Sequence, residues 1–91
     1  MPTSLKLLIN GRVQGIGYRA FAEKQAEVHD IKGYVKNLPD GRVEVVATGD
    51  KMDLDNFIDK LRKGPAFSLV RDIEIDETSL TENFKDFRIE Y

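Results

Sequence analysis

A change of hydrophobic period across residues 11–17 is the strongest constraint on how this chain folds. Apolar residues alternate with their neighbours over residues 5–9, which is typical of a strand with at least one buried face. After the glycine-rich stretch they recur at helical spacing, beginning with Tyr18 and Ala22. We therefore predict a strand, a glycine-rich loop and a helix over residues 18–29.

The middle of the chain is predicted to form a hairpin followed by a second helix. Residues 31–38 and 42–48 are rich in residues that favour strands, and the Leu-Pro-Asp-Gly segment at residues 38–41 has the composition of a tight reversal. Asp50 is expected to cap the next helix, and Gly64 with the proline after it is expected to end it. We expect a β-hairpin followed by an amphipathic helix.

Two closing strands follow the second helix and are joined by a polar stretch over residues 76–83. The first has four apolar residues in one phase, which we expect on one face of the strand: Phe67, Leu69, Ile73 and Ile75. The second has three apolar residues in one phase, namely Phe87, Ile89 and Tyr91. The predicted element order is therefore β-α-β-β-α-β-β.

This order is that of an α+β, ferredoxin-like fold, a split βαβ arrangement with an extra C-terminal strand. Two helices should cover one face of a mixed, mainly antiparallel sheet. Right-handed crossovers make the first two strands parallel, with the third inserted antiparallel between them. Their carboxyl ends then lie at one edge of the sheet, about 10 Å apart, from two inter-strand steps of roughly 4.8 Å.

Composition limits the function classes that this chain can belong to. A net charge of -2 and a sequence pI near 5.4 argue against general binding to nucleic acid or to an anionic membrane. With no cysteine, disulfides and thiolate chemistry are excluded, and a reducing, cytoplasmic location is expected. No secretory signal is visible in the sequence. We expect residues 1–91 to form one domain that is monomeric.

The glycine-rich loop has the features of an anion-binding site. Glycines allow backbone N–H groups to converge, and the helix that follows adds unpaired donors and partial positive charge. Arg19, in the first turn of this helix, supplies a planar guanidinium that suits a phosphate. The alternative is an ordinary strand-to-helix turn with a solvated arginine. The Walker and dinucleotide-binding spacings are both absent.

Two segments together resemble the signatures of the acylphosphatase family. Residues 11–19 read Gly-Arg-Val-Gln-Gly-Ile-Gly-Tyr-Arg, and residues 33–43 read Gly-Tyr-Val-Lys-Asn-Leu-Pro-Asp-Gly-Arg-Val, followed by Gly49. The family patterns are Gly-x-Val-Gln-Gly-Val-x-Phe-Arg and Gly-aromatic-Val-Lys-Asn-x-x-x-Gly-x-Val. Ile16 replaces the preferred Val and Tyr18 the preferred Phe, and both changes keep shape and apolarity.

The resemblance implies an enzyme that hydrolyses acyl phosphates to carboxylates and inorganic phosphate. It implies that Arg19 binds the phosphate and that Asn37 orients the attacking water, with no metal and no cofactor. The phosphate would also meet the backbone amides of the loop, contributed by Gln14, Gly15, Ile16, Gly17, Tyr18 and Arg19. Inorganic phosphate is expected as product and as competitive inhibitor. The substrate's own phosphate oxygen is our candidate for accepting the water's proton.

Three side chains near this site carry further expectations. Asn37 has an alternative role as a capping residue of the turn that follows it. The hydroxyl of Tyr18 is expected beside the phosphate, where it tunes affinity, or in solvent. Because the fifth strand should run parallel beside the second, the carboxylate of Tyr91 is expected to approach Arg19 and to help fix its rotamer.

Two other functions remain open at this level. RNA-recognition domains share the ferredoxin-like fold, and Lys32-Gly33-Tyr34 is similar to the start of their stacking motif. Lys36 and Leu38 stand where further aromatic residues would be needed, however, and the net charge is acidic. The other alternative is a non-catalytic, phosphate-sensing domain of the same fold.

Overall fold

The computed structural model describes residues 2–78 and 84–91. Within these ranges the chain forms five strands and two helices in the predicted order. They are β1 (Thr3–Arg12), α1 (Tyr18–Val28), β2 (Lys32–Asn37), β3 (Val43–Gly49), α2 (Lys51–Lys63), β4 (Leu69–Glu77) and β5 (Phe87–Glu90). Strand β4 takes up the start of the predicted polar connection, and residues 79–83 of that connection lie outside the described ranges.

The described strands form one sheet in the order β4-β1-β3-β2-β5. Strand β3 lies between β1 and β2 and is antiparallel to both, while β5 runs parallel to β2. The α+β, ferredoxin-like arrangement with an added C-terminal strand is thereby confirmed. Its consequence is that β1 and β2 end at the same edge of the sheet.

Both helices pack on one face of the sheet, and their sequences explain which side they bury. The apolar stripe of α2 recurs at intervals of three and four residues and is buried along its length, at Leu54, Phe57, Ile58 and Leu61. Asp50 occupies the N-cap position of α2, but its side chain makes no capping hydrogen bond. Neither described helix is long and apolar enough to cross a membrane.

The β4 strand departs from the predicted apolar phase. The register with β1 shifts between Asn10 and Gly11, so that Arg71 has no partner on β1. Such a shift moves the side-chain alternation by one residue. Val70 therefore packs against the core, whereas Leu69 is exposed and Phe67 precedes the strand with 87% of its surface exposed. Of the four residues expected on one face, only Ile73 is buried.

The strand register places three chain segments at one edge of the sheet. Val43 of β3 pairs with Ile9 of β1 on one side and with Asn37 of β2 on the other. Lys36 pairs with Glu90, so the residues that follow them, Asn37 and Tyr91, lie at the same level of this edge. Because side chains alternate along a strand, Asn37 also lies on the face that the helices cover.

Candidate active site

The loop between β1 and α1 has the backbone of an anion cradle. Gly15 and Gly17 adopt left-handed conformations, with φ of 78° and 80°. Turns of this kind point successive N–H groups into a concavity that suits an anion. A Cβ added at either glycine would meet no atom within 4 Å, so the space beside the loop is open. Glycine is needed here for the backbone conformation, because other residues adopt it at a cost.

The N-terminus of α1 opens onto the same space. Its N-cap residue is Gly17, which has no side chain to satisfy the first amides, and no acidic residue occurs in the first turn. The free N–H groups of such a terminus carry partial positive charge. The loop and the helix therefore present donors and positive potential to one small region.

The Arg19 side chain is half-buried and is held by the end of β5. Its Nη1 donates a hydrogen bond of 3.3 Å to the carbonyl oxygen of Glu90. Its guanidinium carbon lies 4.7 Å from the centroid of the Tyr91 ring. The end of the chain thus reaches Arg19 as predicted, but through a ring and a carbonyl. Among the ion pairs of the described residues, none joins Arg19 to the Tyr91 carboxylate.

Asn37 closes the other side of the site from the end of β2. Its Oδ1 is buried and has no hydrogen-bond partner among the described residues. An unpaired buried acceptor costs about 1–3 kcal/mol, so such an atom needs a role to explain it. Asn37 makes no side-chain hydrogen bond to the turn that follows it in the described structure, which removes support for the turn-capping alternative.

One pocket of about 190 Å³ brings these groups together. Pockets for drug-sized ligands are larger, at about 300–1,000 Å³, so this one suits one end of a small substrate. Its polar lining comes from the loop, from Arg19 and from Asn37. The residues that line the pocket are Val13, Gly15, Gly17, Tyr18, Arg19, Ala20, Asn37, Ile89 and Tyr91. Both predicted catalytic residues therefore share a pocket with three of the predicted loop residues.

Two predicted loop residues direct their side chains away from this pocket. Ile16 packs against the hydrophobic core. Gln14 reaches the hairpin instead, where its Nε2 donates to the carbonyl oxygens of Leu38 at 2.8 Å and Arg42 at 2.9 Å. Sequence reasoning missed this bridge, since nothing in the local pattern pairs Gln14 with a turn 24 to 28 positions away.

The expectations for the Tyr18 hydroxyl are wrong. The side chain is 1% exposed, and its hydroxyl donates a 2.7 Å hydrogen bond to the carbonyl oxygen of Leu61 in α2. Burial raises the pKa of Tyr18 above its ordinary value, because the phenolate would lose its hydration. The hydroxyl therefore links the two helices, and it is directed toward α2 and away from solvent.

Comparison with known proteins agrees with this geometry. The acylphosphatase family model matches residues 5–89. An acylphosphatase of Archaeoglobus fulgidus is 41% identical over 97% of this chain and 98% of its own length. One from Thermus thermophilus is 52% identical over 78% of this chain and 81% of its own. The crystal structure of the Bacillus subtilis acylphosphatase superimposes with a TM-score of 0.94 at 37% identity, covering 100% of both chains. The chain therefore belongs to the acylphosphatase family and hydrolyses acyl phosphates.

Proposed function

We propose that Arg19 and the backbone amides of residues 14–19 bind the phosphate group of the substrate, while Asn37 orients the attacking water. The observation that carries this proposal is the shared pocket, where Gly15, Gly17, Arg19 and Asn37 line one space. A phosphate end inserted there would meet positive charge on one side and an amide on the other. The reaction requires no metal and no cofactor.

The phosphate half of the proposal depends on converging donors. Loop amides and the α1 N-terminus are fixed by the backbone and need little reorganisation when negative charge develops. Arg19 donates one N–H to the carbonyl oxygen of Glu90, and its remaining guanidinium donors can bind phosphate oxygens. Positioning and charge stabilisation are the main demands of phosphoryl transfer, so these groups supply what the step needs.

The water half depends on the side-chain amide of Asn37, which lines the pocket. This amide carries both an acceptor and donors, so it can hold the nucleophilic water by a hydrogen bond and direct an N–H toward a phosphate oxygen. The water oxygen attacks phosphorus as the bond from phosphorus to the carboxylate oxygen breaks. The carboxylate leaves with the electron pair and needs no proton, and the proton of the water passes to a phosphate oxygen. No Asp, Glu or His side chain is among the residues that line the described part of the pocket, so no such side chain is placed to act as the base instead.

Two alanine substitutions separate the two roles. Arg19→Ala should abolish inhibition by inorganic phosphate and lower kcat/KM about 10³-fold or more, as for other arginines that stabilise phosphoryl transfer. Asn37→Ala should lower kcat about 10²-fold, because the water is misplaced, and leave inhibition by phosphate nearly unchanged. Initial rates with acetyl and benzoyl phosphate, with and without added phosphate, measure both effects.

Arg12→Ala is the matched control, since Arg12 is exposed and lies just outside the pocket lining. It should leave kcat and phosphate inhibition unchanged. Equal loss of phosphate affinity in the Arg19 and Asn37 variants would contradict the division of roles. Absence of turnover in the unmodified protein, with phosphate binding intact, would instead favour a phosphate-sensing domain.

The same proposal includes the protein's ligands, its oligomeric state and its cellular location. Inorganic phosphate carries the group that the pocket fits, so it should be a competitive inhibitor as well as the product. We infer that residues 1–91 act as a single monomeric domain in the cytoplasm, which agrees with the absence of cysteine. The net charge of -2 disfavours nucleic acid and membrane surfaces as partners. Sedimentation of the purified protein tests the monomer.

A further inference from the structure

The side chain of Gln14 links the phosphate loop to the turn between β2 and β3. A side-chain amide has two N–H donors, and the hydrogen bonds of 2.8 Å to Leu38 and 2.9 Å to Arg42 use both. The two acceptors are carbonyl oxygens on opposite sides of this turn. The link is therefore bidentate and joins two segments that are distant in sequence.

The backbone of this turn is closed by its own hydrogen bonds. The N–H of Leu38 donates to the carbonyl of Arg42 at 2.8 Å, and the N–H of Gly41 donates to the carbonyl of Leu38 at 3.1 Å. The pair Asn37–Val43 is the last in the register of β2 with β3. Beyond that pair, the hydrogen bonds of the turn and the Gln14 bridge both help to hold the chain next to Asn37.

We propose that Gln14 is a positioning residue that acts through Asn37. Its side chain sets the separation between the loop that binds phosphate and the amide that holds the water. This inference rests on the function proposed above for those two elements. Small errors in such a separation matter, since a misplacement of about 1 Å can cost roughly 10²-fold in rate.

A direct contact between the Gln14 side chain and the phosphate is the competing role. Both N–H donors are already committed to carbonyl oxygens, and the remaining atom, Oε1, is an acceptor that would repel an anion. The backbone N–H of Gln14 takes no part in this bridge and stays among the proposed loop donors. The side chain and the main chain of one residue thus have separate roles.

Gln14→Met tests the proposal, because methionine has similar length and lacks the donors. We expect kcat to fall about 10- to 100-fold while the inhibition constant of inorganic phosphate changes less than about twofold. Gln25→Met, on the half-buried side of α1, is the matched control and should leave both unchanged. A parallel loss of phosphate affinity in Gln14→Met would overturn the assignment, since the loop itself would then be disturbed.

A double-mutant cycle identifies the residue through which Gln14 acts. In the Asn37→Ala background, Gln14→Met should lower the residual rate by less than about twofold, because the shared step is already lost. Full additivity of the two losses would overturn the proposal. If Asn37→Ala alone retained normal turnover, the proposed role of Asn37 would fail first, so the two failures are distinguishable.

Amide NMR spectra provide a readout that does not depend on rate and confirm that the variants fold. In Gln14→Met the side-chain amide resonances of Asn37 should shift, while the phosphate-induced shifts of Gly17 and Arg19 should match those of the unmodified protein. Unchanged Asn37 resonances would overturn the proposal. If Gln14→Met does not fold, Gln14→Asn is measured instead, since its shorter side chain keeps the donors but cannot reach both carbonyls.

Discussion

The guanidinium of Arg19 lies over the aromatic ring of Tyr91, with its central carbon 4.7 Å from the ring centroid. The neighbouring carbonyl of Glu90 accepts a hydrogen bond from the same side chain. Both contacts come from the end of β5, which the pairing of Lys36 with Glu90 places beside Asn37. The added C-terminal strand therefore orients the arginine that we propose to bind phosphate.

Removing the ring should weaken phosphate binding without abolishing it. A cation–π contact at an exposed site contributes about 0.5–1 kcal/mol, so Tyr91→Ala should raise the inhibition constant of phosphate roughly two- to fivefold. Tyr91→Phe keeps the ring and should behave as the unmodified protein. A rise of the same size in both variants would show that the hydroxyl, and not the ring, is responsible.

Substitution of the loop glycines should combine backbone strain with loss of anion binding. Gly15→Ala forces alanine into the left-handed region at a cost of about 1–2 kcal/mol, and it should also weaken inhibition by phosphate. Gly41→Ala is a matched control, since Gly41 has φ of 95° in the β2–β3 turn and lies outside the pocket lining. Urea unfolding and inhibition assays should show lost stability in both variants and weaker phosphate binding only in the first.

Tyr18→Phe should reduce stability and leave catalysis intact. It removes the hydrogen bond to the Leu61 carbonyl, which leaves a buried acceptor unpaired and costs about 1–3 kcal/mol. Because the hydroxyl does not face the pocket, kcat and KM should change little. A large loss of activity in a folded Tyr18→Phe variant would place the hydroxyl in the reaction after all.

The buried phenol also predicts how stability depends on alkaline pH. The unfolded state releases the Tyr18 proton near its ordinary pKa of roughly 10, whereas burial keeps the folded state protonated. Above that pH the unfolded state binds fewer protons, so the free energy of unfolding falls as pH rises. The stability advantage over Tyr18→Phe should therefore shrink between about pH 9 and pH 11, as followed by urea unfolding. A constant difference would contradict the raised pKa.

Chelation should not affect the enzyme. The proposed charge stabilisation comes from backbone amides and the Arg19 guanidinium, and no step of the proposed mechanism uses a metal ion. Prolonged dialysis against a chelator should therefore leave kcat/KM for acetyl phosphate unchanged. Loss of activity that returns with one added divalent cation would require a different mechanism.

Local patterns in the sequence were sufficient for most of the fold, and they singled out Arg19 and Asn37, which line one pocket. The stripe at residues 54–61 packs as its spacing predicts, and the loop before Tyr18 takes the backbone that its glycines allow. The predicted side-chain alternation is wrong at β4. A register shift at Arg71 places Val70, and not Leu69, against the core. A bulge depends on how two strands pair, and one strand's alternation contains no information on it.

The sequence by itself determined the order of the elements, the glycine loop, and the residue types that suit a phosphate and a water. Those properties are local, because period, turn composition and side-chain chemistry act over a few residues. Only the tertiary structure decided what each side chain meets: the Tyr18 hydroxyl faces α2, Gln14 spans to the hairpin, and Arg19 rests on the Tyr91 ring. Contacts between residues more than 20 positions apart depend on sheet register and helix packing, and these depend on interactions along the whole chain.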